Sequence, residues 1–302
     1  MATNRASRNT ASRRNKSAAF KRAKTSAKPD AMSTETYTVG IVGLGAIGMH
    51  LARALDAGVP GLKLAAVAVR DREKALAGMK GFRDRPLILD IEKLPRECDI
   101  IVEAAPASVF EQAATAAIEA GCIFVPSSCG ALLPRMHLVE RARETGARII
   151  IPTGALLGLD AVRAAAEGHV STVTIETRKP PGGLVGAPYL EKNNIDVLGV
   201  NEATMVFKGN AFDAAQGFPA NVNVAAALAL AGIGPERTMV EIWADPAVTR
   251  NTHTIRVEAD EVRLTMTIEN VPSLENPRTG KITPLSILAC LRGLTSTLKV
   301  GS

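Results

Sequence analysis

Aromatic side chains, long apolar runs and paired cysteines are scarce or missing in this chain of 302 residues. Aromatic residues make up only 3% of it, which argues against a stacking surface for single-stranded nucleic acid. No apolar run reaches the roughly 18 residues expected of a membrane span, so no membrane partner is expected. The four cysteines form no C-x-x-C pair and are too few for a disulfide framework. We therefore expect a cytoplasmic protein without a metal site.

Acidic residues are nearly missing from the first 31 positions, which hold nine Lys or Arg and only Asp30. This segment carries a charge of +8, whereas the whole chain carries +6, so the remainder is slightly acidic. The segment also lacks a periodic apolar face, and we predict that residues 1–35 form a disordered basic tail. Four interpretations of this segment stay open: a polyanion-binding arm, a transit peptide, an inert extension, or a translation start at Met32 that leaves most of it out. Nucleic-acid binding by the remaining chain is not expected.

A glycine motif stands out within residues 38–55, TVGIVGLGAIGMHLARAL. A short apolar run predicts a buried parallel strand, and the apolar residues after the glycines recur at helical spacing. Gly43 permits a tight turn, Gly45 lets the backbone approach a pyrophosphate, and Gly48 allows the helix to pack closely on the strand. The motif predicts a dinucleotide site at the helix N-terminus. The predicted cofactor contacts in this segment are Gly43, Gly45, Ala46, Ile47 and Gly48.

The order of the elements predicts two domains. Strands alternate with helices up to about residue 151, which is typical of an α/β fold with a Rossmann-type, doubly wound parallel sheet. Alternating strands at 170–178 and between 238 and 269 predict a second α+β domain with a mainly antiparallel sheet. We therefore predict a dinucleotide-binding domain at 36–155 and a second domain at 156–280, with the final helix, within 281–302, a candidate to pack back on the first.

The residue that selects NAD or NADP should follow the second strand, about 20 residues after the glycines. An acid at that place would hold the ribose 2′-hydroxyl, but Val69 and then Arg70 stand there. Arg70 could hold a 2′-phosphate, whereas a shift of one or two residues would make Asp71 the selecting acid. The interpretation leans slightly to NADP or to use of both cofactors.

Among the four histidines, His253 is the best candidate for proton transfer. It follows a polar loop at the start of a strand in the second domain, and imidazole titrates near working pH. Asn221 is suited to cap a helix, but together with Asn223 it could also bind a nicotinamide amide or a carboxylate. Ala155 follows Gly154 at the end of a strand and permits close approach of a ligand.

Two short cationic stretches are candidates for holding a dicarboxylate. Lys179 follows Arg178 at the end of a strand, and Arg278 precedes Thr279 just before the last helix. Either stretch could equally be a solvated surface. Cys129 has no histidine near it in the sequence, and we interpret it as a small buried residue.

Seven motifs spread over about residues 38–298 are more specific together than the glycine motif alone. They are GIVGLGAIG (40–48), SSCGAL (127–132), PTGALLGLDAV (152–162), RKPP (178–181), FPANVNVAAALALAG (218–232), ADPAVTRNTHTIRVEA (244–259) and IENVPSLENPRTG (268–280). With these motifs the chain resembles the L-aspartate dehydrogenase family.

The resemblance implies reversible oxidative deamination of L-aspartate with NAD or NADP. The product would be iminoaspartate, which either hydrolyses to oxaloacetate and ammonia or feeds NAD synthesis. The resemblance also implies a homodimer in which the second domain serves catalysis and dimerisation. His253 matches the catalytic histidine of the family, and Ala155 and Asn221 match cofactor-contacting positions. Lys179, Asn223, Arg278 and Thr279 remain candidate substrate residues.

Three alternatives stay open at this point. Another two-domain reductase that uses NAD or NADP could act on a different amino acid or keto acid. A nucleotide-sensing protein could keep the fold without turnover, since fold alone does not fix function. The basic tail could bind nucleic acid, which salt-dependent binding that is lost on deletion of residues 1–31 would reveal.

Overall fold

The computed structural model describes residues 36–219, 222–273 and 280–301, and it contains two sheets. The basic tail predicted at 1–35 lies outside the described residues. No helix among the described residues is both long and apolar enough to cross a membrane.

The first sheet has six parallel strands in the order β3-β2-β1-β4-β5-β6, which confirms the predicted Rossmann-type arrangement. The strands are β1 (Tyr37–Val42), β2 (Leu62–Ala68), β3 (Leu87–Ile88), β4 (Ile100–Glu103), β5 (Ile123–Pro126) and β6 (Arg148–Ile149). The helices between them are α1 (Ala46–Ala57), α2 (Arg72–Gly78), α3 (Phe110–Glu119) and α4 (His137–Thr145).

Helices cover both faces of this sheet because its strands are apolar on both sides. In β4, Ile100 and Val102 belong to one apolar cluster, whereas Ile101 between them belongs to another. The first cluster includes residues of α1 and the second includes residues of α3 and α4. This burial on both faces is typical of a parallel sheet, whose strands appear in sequence as continuous apolar runs.

The second sheet has the order β11-β10-β7-β9-β8, with β7 and β9 parallel and every other neighbouring pair antiparallel. This confirms the predicted mainly antiparallel sheet. The strands are β7 (Val170–Lys179), β8 (Thr204–Asn210), β9 (Thr238–Ala244), β10 (Asn251–Ala259) and β11 (Arg263–Asn270). The helices are α5 (Leu159–Ala166), α6 (Pro188–Lys192), α7 (Ala211–Gly217) and α8 (Asn223–Ala231).

One face of the second sheet carries the apolar core of this half. Alternate residues of β10, including His253, Ile255 and Val257, are buried. Helix α8 packs on the sheet at β9 with an almost continuous buried alanine surface. Small side chains let α8 approach the sheet closely.

The last helix, α9 (Ile282–Thr295), packs on the first sheet. Its Ile287 and Leu291 are fully buried in the apolar cluster that includes α1, and the hydroxyl of Thr295 donates to the carbonyl of Pro60 at 3.0 Å. The chain therefore crosses from the first sheet to the second and back again.

Candidate active site

A pocket of about 820 Å³ lies between the carboxyl ends of the first sheet and the second sheet. One side of it consists of the first turn of α1 and the loops that follow β4, β5 and β6. The other side includes Lys179 from β7, Asn251 and His253 from β10, and Asn270 from β11. Such a crevice is the usual place for a dinucleotide in this fold, and the volume is within the range of cofactor pockets.

The three glycines of the motif have different surroundings. Gly43 has φ of +89°, and a methyl group there would lie 2.8 Å from the carbonyl oxygen of Ala104. A methyl group at Gly48 would collide with the carbonyl oxygen of Gly43. At Gly45, which lines the pocket together with Ala46 and Ile47, it would meet no atom within 4 Å. The open space therefore lies at the pocket, where the N–H groups of the first helical turn begin.

These features fit a pyridine dinucleotide. Gly45 is the N-cap of α1, makes no side-chain capping bond, and no acidic residue occupies the first turn of the helix. The unpaired N–H groups and the positive end of the helix dipole suit a pyrophosphate, and open space beside Gly45 admits it closely. The first-turn residues are the ones that would hold the phosphates.

Glu103 is a buried acid at the carboxyl end of β4 that the sequence analysis missed. Its carboxylate accepts hydrogen bonds from the backbone N–H of Ala105 at 2.9 Å and of Ser128 at 3.0 Å, and from the Ser128 hydroxyl at 3.2 Å. Burial raises the pKa of Glu103 above its usual value, although these hydrogen bonds oppose the shift. Both Ala105 and Ser128 line the pocket, so Glu103 joins two of its loops. The available signal was an acid that ends an otherwise apolar strand.

His253 is almost fully buried on the inner face of β10 and lines the pocket. Its cross-strand partner on β7 is Thr177, whose Oγ1 lies 3.0 Å from Nδ1 of the imidazole. Burial and the nearby charge of Lys179 lower the pKa of His253 to about 3. The imidazole is therefore neutral at physiological pH, and its pKa lies well below the working range that the sequence analysis expected.

Lys179 lies at the end of β7, two residues beyond Thr177 and on the same buried face. Its side chain is 5% exposed and lines the pocket, and burial lowers its pKa to about 8. Lys179 and Arg135 are the lysine and arginine side chains in the described pocket wall, which contains no Asp or Glu. This charge balance suits an anionic ligand.

Asn223 also lines the pocket, but its Oδ1 accepts a hydrogen bond from the N–H of Gly130 at 3.0 Å. The thiol of Cys129 donates to the Asn223 carbonyl at 3.1 Å, and burial raises the pKa of the thiol to about 12. Cys129 is thus a small buried residue, as predicted. The predicted sites Asn221, Arg278 and Thr279 lie outside the described residues.

Arg70 is exposed just after β2 and is not part of the pocket wall as described. Asp71 is the N-cap of α2, with its Oδ1 accepting from the N–H of Lys74 at 2.9 Å. One carboxylate oxygen of Asp71 is therefore engaged in capping α2.

Asn270, which the sequence analysis did not single out, connects the two sides of the pocket. It ends β11, and its Nδ2 donates to the carbonyl of Ala155 at 3.1 Å. Ala155, a predicted cofactor contact, lies in the loop after β6 and lines the pocket. The only sequence signal was a polar residue on the inner face of a strand end.

Two family models match consecutive parts of the chain. Residues 160–294 match the family model described as "Aspartate dehydrogenase, C-terminal", and residues 43–152 match the one described as "Homoserine dehydrogenase, NAD binding domain". The first half is thus a pyridine-nucleotide-binding domain.

Similar proteins align over nearly the whole length. The chain is 52% identical to the L-aspartate dehydrogenase of Bradyrhizobium diazoefficiens, with 90% of this chain and 97% of that protein covered. It is 48% identical to L-aspartate dehydrogenase 3 of Bordetella bronchiseptica, with 89% and 99% covered. A crystal structure of aspartate dehydrogenase from Thermotoga maritima has a TM-score of 0.68 and 26% identity, with 88% and 99% covered.

Proposed function

The chain belongs to the L-aspartate dehydrogenase family, and on that premise we propose that it catalyses the NAD(P)-dependent, reversible oxidative deamination of L-aspartate. The product is iminoaspartate, which hydrolyses to oxaloacetate and ammonia or is consumed in NAD biosynthesis. The observation that carries the proposal is the presence of buried His253 and buried Lys179 in one pocket with the N-terminus of α1.

Lys179 is the candidate partner for a substrate carboxylate. A buried ammonium group is stabilised by an anion. L-aspartate presents two carboxylates to a pocket wall whose described residues include no Asp or Glu. With a pKa of about 8, Lys179 is largely protonated at neutral pH and therefore carries the required charge. Asn223, Arg278 and Thr279 remain further candidates for substrate contact.

His253 is the candidate for proton transfer. The bound nicotinamide supplies the chemistry of hydride transfer to and from the substrate Cα. His253, which is neutral at physiological pH, takes a proton from the water that attacks the imine carbon and returns one to the departing ammonia. Thr177 fixes the ring through Nδ1, which leaves Nε2 as the nitrogen that exchanges protons.

The cofactor contacts proposed for this chain are Gly43, Gly45, Ala46, Ile47, Gly48, Arg70, Ala155 and Asn221. For Arg70, we propose a contact with the 2′-phosphate of NADP, because it is a cation at the end of β2 and Asp71 serves as a helix cap. With this contact, the enzyme would use NADP or both cofactors. If this is right, Arg70→Ala lowers kcat/KM for NADPH about tenfold and leaves that for NADH unchanged. Equal kcat/KM values for the wild type and Arg70→Ala with each of the two cofactors would contradict this contact.

We further propose a homodimeric, cytoplasmic enzyme. The face of the second sheet opposite its core carries Trp243, whose indole N–H is buried without a hydrogen-bond partner among the described residues. A second subunit on that face would cover the half-buried side chain of Trp243. The four cysteines are free, which suits a reducing compartment. Light scattering after size exclusion measures the oligomeric state.

The test of the proposed activity is reductive amination. Purified enzyme is given oxaloacetate, ammonia and either NADH or NADPH, and oxidation of the cofactor is followed at 340 nm. A panel of other keto acids with ammonia, and of other amino acids in the oxidative direction, covers the alternative of a related two-domain reductase. Preference for a substrate other than aspartate and oxaloacetate would replace the proposed one.

A further inference from the structure

We infer that Asn270 binds the substrate nitrogen: its Oδ1 accepts a hydrogen bond from the N–H of the amino or imino group. This inference rests on the proposed function and adds to it a residue that reads the nitrogen. It also identifies the group that distinguishes an imine from a ketone at the reacting carbon.

The orientation of the Asn270 amide is fixed by its neighbour. Nδ2 donates to the carbonyl oxygen of Ala155 at 3.1 Å, a bond that only the nitrogen end of the amide can make. The oxygen end is therefore Oδ1, and it is buried without a hydrogen-bond partner among the described residues. Asn270 as a whole is 5% exposed and lines the pocket.

A buried acceptor without a donor is unfavourable. Buried polar side-chain atoms nearly always have a hydrogen-bond partner, and leaving one without costs about 1–3 kcal/mol. A ligand N–H at this place removes the cost. The site is therefore prepared for a donor before the ligand arrives.

Strand register places Asn270 close to His253. Asn270 is opposite Asn251 in the β10–β11 pair, and Ile268 is opposite His253. Since alternate residues of a strand share a face, Asn270 and His253 lie on the same inner face and one diagonal step apart. Asn270 is thus a neighbour of the residue proposed to exchange protons with the substrate nitrogen or with the water that replaces it.

The charges of the pocket wall support the same assignment. A protonated amino group usually binds a carboxylate, but the described wall contains no Asp or Glu. Among the amides of the pocket wall, Asn223 already uses its Oδ1 for the N–H of Gly130, and Oδ1 of Asn270 is the buried amide oxygen that has no partner among the described residues. The neutral oxygen of Asn270 can accept from the nitrogen while Lys179 holds a carboxylate.

This arrangement explains how the enzyme can prefer an imine to a ketone. The imine formed from oxaloacetate and ammonia presents N–H groups to Oδ1, so a hydrogen bond forms. The ketone of oxaloacetate presents an oxygen, which is an acceptor facing an acceptor. A site that hydrogen-bonds a donor rejects an analogue that lacks it. Asn270 therefore favours amination over direct reduction to malate.

The test compares L-aspartate with succinate, which has the same two carboxylates and no amino group. Binding of each to the complex of enzyme and NADH is measured by titration calorimetry. We expect the wild type to bind aspartate about tenfold more tightly than succinate, and Asn270→Ala to reduce that preference to within about twofold. The ratio is insensitive to a general weakening of the site, because both ligands use the same carboxylate contacts.

Two further variants separate the hydrogen bond from structural effects. Asn270→Asp keeps an acceptor but loses the donor to Ala155, and we expect its preference for aspartate to equal or exceed that of the wild type. Asn193→Ala removes an exposed amide whose Nδ2 likewise donates to a backbone carbonyl, that of Tyr189 at 2.8 Å, and should leave the ratio unchanged.

An unchanged ratio in Asn270→Ala overturns the inference. If that variant instead loses NADH affinity while the ratio stays the same, Oδ1 holds the nicotinamide amide, and the assignment to the substrate nitrogen is wrong. Loss of the preference in Asn270→Asp to the same extent as in Asn270→Ala also overturns it.

The two proposals fail in different ways. A wild-type enzyme that neither turns over aspartate nor prefers it to succinate removes the proposed function. A wild-type enzyme that does both, with Asn270→Ala unchanged, leaves the function standing and removes only the role of Asn270.

Discussion

Thr177 and His253 are cross-strand partners, and Oγ1 of Thr177 lies 3.0 Å from Nδ1 of His253 in the buried interior. This contact sets the rotation of the imidazole and assigns one of its two nitrogens to the protein. When Nδ1 carries the ring proton and donates it to Thr177, Nε2 has the free lone pair. A proton-transfer role for His253 thus depends on its neighbour on β7.

Thr177→Val removes the hydroxyl but preserves the shape of the side chain. We expect kcat to fall about tenfold with little change in KM for aspartate, because the ring loses its orienting partner. Thr177→Ser should restore most of the rate. Thr254→Val is the matched control, since Thr254 makes a similar 3.0 Å contact with Thr267 on the other face of β10. A kcat for Thr177→Val within twofold of the wild type would contradict the orienting role.

The charge of Lys179 should be visible in the pH dependence of kcat/KM. Burial lowers its pKa to about 8, so the side chain loses its charge, and with it a carboxylate partner, as the pH rises above 8. We expect kcat/KM for oxaloacetate in the amination assay to decline on that alkaline side. Lys179→Arg keeps the charge at every accessible pH and should remove the decline.

Comparison of variants isolates Lys179 from the titration of ammonia and substrate, which is common to all of them. Lys208→Arg is the control, because Lys208 is exposed and pairs with Glu241 at 2.9 Å. Identical pH profiles for the wild type and for an active Lys179→Arg enzyme would show that Lys179 does not provide the charge.

The glycines of the motif allow binding to be separated from folding. Gly45→Ala puts a methyl group into open space at the pocket, with no protein atom within 4 Å. We expect an unchanged melting temperature and at least about tenfold weaker nucleotide binding, since the methyl group keeps the pyrophosphate from the helix N-terminus.

Gly48→Ala should behave in the opposite way. Its methyl group collides with the carbonyl of Gly43, and we expect a loss of about 1–3 kcal/mol in the free energy of unfolding. Chemical denaturation measures the stability, and fluorescence titration with NADH or NADPH measures the binding. Equal nucleotide affinity for Gly45→Ala and the wild type would contradict a pyrophosphate at this place.

Glu103→Gln tests the link between the two loops. The amide of Gln can accept at one end only, so one of the N–H donors, that of Ala105 or that of Ser128, loses its partner. We expect about tenfold weaker nucleotide binding and a lower melting temperature. Glu97→Gln, which changes an exposed acid before β4, should leave both unchanged. If Glu103→Gln binds the nucleotide as tightly as the wild type, the hydrogen bonds by which Glu103 joins the two loops are not needed for binding.

The sequence predicts features that depend on neighbours along the chain. The turn at Gly43, the start of α1 and the parallel strands follow from local glycine spacing and apolar runs. His253 could be singled out because a polar loop precedes a strand and because its surroundings resemble a known family.

Contacts between distant segments could not be predicted in this way. Glu103 and Ser128 are 25 positions apart, and Ala155 and Asn270 are 115 apart, so no local pattern contains either pair. Periodicity shows that Asn270 points to the inner face of β11 but not which loop it meets there. The same limit applies to Asp71, whose use as a helix cap depends on where α2 begins.

The return of α9 to the first sheet has a consequence for synthesis on the ribosome. Ile287 and Leu291 fill the cluster beneath α1, so the nucleotide-binding half cannot complete its core until the C-terminal residues have emerged from the exit tunnel. The second half is translated in between and can assemble first. Cofactor capture by a nascent chain must therefore wait until α9 is available to pack, and truncation of α9 should leave a polypeptide that chaperones retain.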